Sequence, residues 1–552
     1  MEADAVVVGA GLAGLVATAE LAEAGRRVIL LEQEPEASFG GQAWWSFGGL
    51  FLIDSPEQRR LRVHDSLELA RQDWFGTAGF DRTEDHWPRK WAEAYLQFAA
   101  GEKRAWLKEQ GVGFFPVVGW AERGGYTATG HGNSVPRFHI VWGTGPGIVE
   151  PFARRVRAAV DAGRLDLRFR HRVSGLVVTD GAVTGVRGAV LESSGVGRGE
   201  ASSRTEIGDF EIAAQAVVVT SGGIGGNHEL VRTNWPARLG PAPRRLLSGV
   251  PAHVDGHMLE ATQDAGASVV NEDRMWHYPE GIANHSPVWS KHGIRILTGP
   301  SPLWLDADGG RLPSPLFPGF DALGALQHVT TRGDDHSWFV LNKTIMEKEF
   351  ALSGSEQNPD LTGKSVPLLV ERVRGKSVPV RTFAEQSEEF LWASTPAELA
   401  AKMNALTEAT EGSAGHIDAE ELAALITARD AQVASGLGKD PQVVATSAAR
   451  HFIVDKAIRV SPPRALTDPQ DGPLLAVRLT VLTRKTLGGI WCDETGRALT
   501  ASGDVLEGLW AVGEAAGFGG GGSHGHRALE GTFLGGCLFT GRTTGRALAA
   551  AL

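Results

Sequence analysis

A chain of 552 residues with a net charge of −11 has room for several domains and is too acidic to favour nucleic acid as a partner. Its two cysteines, Cys492 and Cys537, exclude a disulfide framework and a cysteine-held metal or iron–sulfur centre. No run of about eighteen apolar residues occurs and the first strand begins at residue 4, so neither a membrane span nor a signal peptide is expected, and the protein reads as cytoplasmic.

Asp4 to Val8 is an apolar run too short for a helix, and it ends in Gly9-Ala10-Gly11-Leu12-Ala13-Gly14. Leu12 to Ala24 has helical spacing and stops at Gly25; Arg27 to Leu31 is a second buried-strand run, closed by Glu32 and Gln33. Strand, glycine turn, helix, strand and acid follow in the order of a dinucleotide fold. Gly9 permits the turn, Gly11 admits a pyrophosphate and Gly14 lets helix meet sheet, while Glu32 accepts from a ribose hydroxyl. An acid there favours FAD or NAD over NADP.

Ser38 to Phe51 holds two glycine pairs, Gly40-Gly41 and Gly48-Gly49, around Gln42, two tryptophans and Ser46. Residues 56–110 read as helices packed through aromatic side chains, and a glycine-rich turn at 143–147 opens a helix reaching Ala162. His139, just before it, is a candidate active-site residue or a satisfied core histidine. Leu165 to Arg187 predicts a hairpin turning at Asp180-Gly181. Asp209 to Gly226 is a further buried strand ending in Ser221-Gly222-Gly223.

From about Arg274 to Val477 prolines rise and glycine pairs thin, and helices are expected at Pro396–Glu411 and Asp418–Ser435 behind the caps Thr395 and Asp418. This segment reads as an inserted cap. After Leu482 the glycine-rich texture returns: a strand at Leu509–Val512 aims at Gly513-Glu514, and a last helix starts near Thr532-Phe533, its positive end free to face a pyrophosphate or a flavin.

With these residues in view the chain resembles the FAD-binding fumarate reductase and succinate dehydrogenase flavoprotein superfamily, which includes 3-ketosteroid dehydrogenases. The resemblance rests on the N-terminal fingerprint and on GGQAWWSFGG, VVVTSGGIGGN, VDGHMLEATQDAGA, KTLGG and GLWAVGEAAG, in that order. It implies an α/β, two-dinucleotide-binding (Rossmann-like) FAD domain, residues 1–273 and 478–552, with an α+β cap at 274–477. It also implies that Glu514 holds the ribityl chain and that Val173 meets the adenine through its backbone. The residues before Gly40 are Ala37, Ser38 and Phe39, with no histidine for covalent attachment, so FAD is expected to be non-covalent.

By the same resemblance, His277 falls where a substrate-binding histidine is expected, and Arg311, after Asp308-Gly309-Gly310, matches a proton-donor arginine. Leu312-Pro313 departs from that pattern, and Lys485 replaces a histidine beside the T-x-G-G block. Arg527, in His524-Gly525-His526-Arg527, approximates a carboxylate clamp; the histidines lack the partners of a metal site, so no metal is expected. The steroid branch's Y-P-G-P-G tyrosine is absent, only Tyr95, Tyr126 and Tyr278 being available, which argues against steroid 1,2-dehydrogenation by that residue set; a related apolar keto substrate stays open.

The expectation is an FAD-dependent oxidoreductase acting on a CH–CH or C=C bond next to a carbonyl or carboxylate. Hydride passes to or from flavin N5, Arg311 moves the proton, and His277, Lys485 and Arg527 bind substrate. Electrons use a separate carrier or second substrate. The direction stays open, as do an oxidase or amine-type dehydrogenase and a non-catalytic flavin-binding protein.

Overall fold

The computed structural model describes residues 2–125, 130–374 and 377–552; Tyr126 lies outside them. Strand Ala3–Val8 sits inside an eight-stranded sheet. It pairs in parallel with Val28–Glu32 on one side and with Glu206–Val219 on the other; Leu165–Phe169 and Val505–Ala511 extend the two flanks. Successive side chains of a strand point to opposite faces. Ala5, Val7, Leu30 and Val218 therefore enter one core, and Val6, Val8, Leu31 and Val219 another, as a sheet covered on both sides requires. His171–Thr179 and Ala182–Leu191 form the expected hairpin, with Asp180 and Gly181 at positive φ in its turn.

Helix Leu12–Glu23 packs on the first face together with the last helix, Thr532–Ala551. Gly541 and Gly545 make the approach possible: a Cβ on Gly541 would stand 2.7 Å from Ala13 O, and one on Gly545 3.0 Å from Ala17 O. Gly14 plays the same part toward the sheet, where a Cβ would lie 2.1 Å from Gly9 O.

A second sheet is organised around Leu474–Thr486, whose first ten residues are all buried. It pairs with Met275–Ala283, His336–Asn342, Phe390–Ala393 and Leu247–Ser248. Helices Pro396–Glu408 and Ala419–Ser435 pack on this body, capped by Thr395 and Asp418 through the backbone N–H groups of Glu398, Glu420 and Glu421. Residue 477, where the cap is expected to end, falls inside the central strand, and the second sheet already includes Leu247–Ser248. One strand thus leads from the cap into the cofactor body and delivers Lys485 and Thr486 at its end. Gly49–Phe51, Phe114–Gly119 and Phe138–Val141 form a small third sheet between them.

Two substitutions test this packing. Leu479→Ala, at a fully buried position of the central strand, should cost about 2–5 kcal/mol in chemical denaturation. Gly14→Ala should lower the melting temperature by at least several degrees, because the clashing atom is backbone and cannot rotate away.

Candidate active site

Two depressions are linked by the loop of residues 41–49, which contributes to the walls of both. The first is a groove over the carboxyl ends of the parallel strands, lined by Gly9, Gly11, Leu12, Ala13, Glu32, Gln33, Gly41, Gln42, Val173, Ser221, Gly222 and Glu514. At Gly11 a Cβ would meet no atom within 4 Å, so the missing side chain leaves room in the groove rather than packing space. Glu32 accepts the N–H groups of Ala10 (2.8 Å) and Glu34 (2.9 Å), which fixes a carboxylate with spare lone pairs at the rim. Glu514 accepts from Thr486 N (2.8 Å) and from the Gln42 amide. A glycine-lined approach, an acid at the second strand and a buried acid beyond it fit an adenine dinucleotide extended along the groove.

Other expected cofactor residues shape the walls without lining the groove. A Cβ on Gly40 would strike Val149 at 2.3 Å, and one on Gly223 would strike Thr486 Oγ1 at 2.2 Å. Gly513 donates its N–H to Thr540 Oγ1, and Thr532 Oγ1 lies 2.8 Å from His524 Nε2. Sequence reasoning did not single out Ser38, His171, Arg172, His253 or Cys537 as lining residues; His171, Arg172 and His253 belong to no glycine-rich block.

The second depression is a cavity of ≈ 210 Å³ whose walls include Phe47, Phe115, Trp120, Phe138, Leu297, Phe350 and Phe533. Ser46, Gly48 and Gly49 belong to it, so the loop that carries Gln42 in the groove continues into the cavity wall. Its inner end is polar. There Tyr278 donates to Glu530 Oε1 (2.5 Å) and lies 2.5 Å from Lys485 Nζ, while Trp276 Nε1 also donates to Glu530 (3.0 Å). Arg295 stacks on the Tyr278 ring at 3.8 Å and contacts three carboxylates: Glu122 (2.8 Å), Glu280 (3.2 Å) and Glu530 (3.2 Å).

Burial sets the electrostatics. It lowers the Lys485 ammonium to about 8, against the pull of Glu530. It also drives the Tyr278 phenol well above its ordinary range, with the Glu530 carboxylate adding to the effect. Glu530 is as deeply buried, yet Lys485 and Arg295 hold it below the usual carboxylate range. Glu122 and Glu280 are raised by burial.

Of the four residues expected to do the chemistry, only Lys485 lines this cavity. Arg311 is taken by Asp440 (2.6 Å) and Gln442 (2.7 Å), because Asp440 caps helix Pro441–Ala449 and presents its carboxylate there. His277 points to the opposite face of its strand from Tyr278; its Nδ1 accepts Arg484 N–H at 3.0 Å, its ring stacks on Trp235, and burial lowers it to about 3. Arg527 pairs with Asp321 in a smaller adjacent pocket that shares Glu530 as a wall. His139 is a buried structural residue between Ser55 Oγ (2.6 Å) and Arg137 O (2.8 Å). Tyr278, Arg295 and Glu530 were not expected from the sequence as site residues. The one available signal was the scarcity of tyrosine, which made Tyr278 conspicuous next to His277.

Comparison with known proteins agrees with this geometry. The family model described as FAD binding domain matches residues 4–534. A KsdD-like steroid dehydrogenase of Mycobacterium tuberculosis is 59% identical over 551 residues, covering 100% of this chain and 96% of the relative. A fumarate reductase (cytochrome) of Shewanella frigidimarina is 23% identical over 547 residues, 98% of this chain and 76% of that protein. Among solved structures, the 3-ketosteroid Δ1-dehydrogenase of Sterolibacterium denitrificans shares the fold at a TM-score of 0.67, with 15% identity and 100% of both chains covered. The glycine-lined groove, the acids at its two ends and these matches together place the chain in the FAD-binding domain family, as an FAD-dependent dehydrogenase.

Proposed function

We propose that this dehydrogenase acts on a carbon–carbon bond next to the ketone of an apolar, steroid-like substrate. The observation that carries the reading is the Tyr278 hydroxyl, held between Lys485 and Glu530 at the inner end of an apolar cavity beside the cofactor groove. The 59% identical KsdD-like steroid dehydrogenase supports the substrate class. FAD, when bound, supplies the hydride acceptor. Gly11, Glu32, Gln42, Ser221 and Glu514 would hold it non-covalently.

Tyr278 is the proton mover in this reading. It takes the proton from the carbon next to the one that loses hydride; once Lys485 is uncharged its Nζ, 2.5 Å away, accepts instead of donating, and the phenol proton turns from Glu530 to Lys485 and passes to it. The substrate thereby loses one proton and one hydride, and the two electrons leave through a separate carrier. Arg295 and Arg372 are poorly placed to clamp a carboxylate substrate, because Arg295 is matched by Glu122, Glu280 and Glu530, and Arg372 by Asp360.

Anaerobic mixing of oxidised holoenzyme with saturated 3-ketosteroids should bleach the flavin, whereas succinate should leave it oxidised; bleaching by succinate alone would overturn the reading. Tyr278→Phe should lower the reduction rate by at least about 100-fold while retaining FAD. Lys485 is charged below its pKa of about 8 and neutral above it. The rate of steroid oxidation should therefore rise as pH passes through about 8, and Lys485→Met should remove that inflection.

A further inference from the structure

The mouth of the cavity is edged by apolar side chains that face solvent. On one lip, helix Val366–Val373 buries none of its residues. It turns Leu369 and Arg372 to the cavity and leaves Val366 62% and Val370 43% exposed, four residues apart on one face. Val373, which edges the opening, and Val378 beyond it are also exposed. On the other lip Val454 and Ile458 line the cavity, and Ile453 beside them is 62% exposed.

The charges here run against the balance of the whole chain. Lys364, Arg374 and Lys456 are exposed on these two lips, with Glu371 the exposed acid of the helix, in a protein of net charge −11. Arg372 is neutralised by Asp360, whereas Lys348 keeps its charge while its Nζ donates to Ala457 O at 2.5 Å. A helix that offers an apolar stripe to water with basic residues at its ends has the features of a segment lying in a bilayer interface.

We propose that the two lips dock on an anionic lipid surface, so that the cavity opens against the bilayer. Val366, Val370, Val378 and Ile453 would enter the headgroup–acyl boundary, and Lys364, Arg374 and Lys456 would meet lipid phosphates. An apolar ketone dissolved in lipid then reaches Tyr278 without crossing bulk water. That last point rests on the proposed substrate class; the docking surface does not.

The test uses FAD-loaded full-length protein sedimented with vesicles of phosphatidylcholine alone or of phosphatidylcholine mixed with phosphatidylglycerol. Binding is expected to the mixed vesicles, to be at least about tenfold weaker on neutral ones, and to fall as salt rises. K364E/R374E/K456E should lose at least about tenfold in partitioning. V366S/V370S/I453S should lose a comparable factor while keeping melting temperature, FAD content and turnover of detergent-dispersed substrate. No binding to mixed vesicles at low salt would overturn the proposal. So would dimerisation in solution abolished by V366S/V370S/I453S, since a second copy would then cover the face. Vesicle binding by a protein inactive on every ketosteroid would refute the substrate reading and leave the docking surface standing.

Discussion

Arg295 is the residue on which the inner end of the cavity depends. Three carboxylates, Glu122, Glu280 and Glu530, are buried there, and an unpaired carboxylate in such a place would protonate or unfold its surroundings. Arg295 reaches all three with one guanidinium, and Lys485 adds a second positive charge beside Glu530. Removing one partner from a buried network of this kind costs about 3–5 kcal/mol, much more than a surface ion pair contributes. The arrangement also fixes Tyr278: its ring is covered by Arg295 and its hydroxyl is gripped from two sides, so the phenol has one orientation, into the cavity.

The geometry follows from strand pairing. Met275–Ala283 and the central strand Leu474–Thr486 run antiparallel, with Trp276 opposite Lys485 and irregular register between Trp276 and Tyr278. The bonds that hold the second sheet therefore also bring Tyr278 and Lys485 to one place. One residue further, Thr486 donates to Glu514, which lines the cofactor groove. The cavity and the glycine-lined groove are joined by two consecutive residues of one strand, and a shift in its register would disturb both.

The cofactor body was largely legible in the sequence because its requirements are local. A glycine turn between two buried strands, an acid at the end of the second and a returning Gly-Glu pair each leave a mark within a few residues. The hairpin at Asp180-Gly181 and the caps Thr395 and Asp418 were legible for the same reason. The polar end of the cavity was not, because Tyr278, Arg295, Lys485 and Glu530 lie far apart in the chain and meet only through tertiary pairing. Arg311 illustrates the converse: its local pattern matched a proton donor, but Asp440 and Gln442, distant in sequence, hold its side chain outside the cavity. His277 and Tyr278 differ by one step along a strand, and that step decides which of them faces the cavity.

The return of the chain to its own beginning has a consequence for biosynthesis. Glu514 and the helix Thr532–Ala551 complete walls begun by Gly11 and Leu12–Glu23, and strand Val505–Ala511 joins the sheet beside Glu206–Val219. While the ribosome is still making the middle of the protein, the first helix can pack on its flanking strands and on helix Thr144–Asp161 but lacks the last helix, and the groove lacks Glu514. Contacts between such distant segments close slowly. Capture of FAD must therefore wait until Glu514 and the helix Thr532–Ala551 have been made, and a nascent chain stalled before that helix would leave an apolar helical face partly uncovered for chaperones to hold.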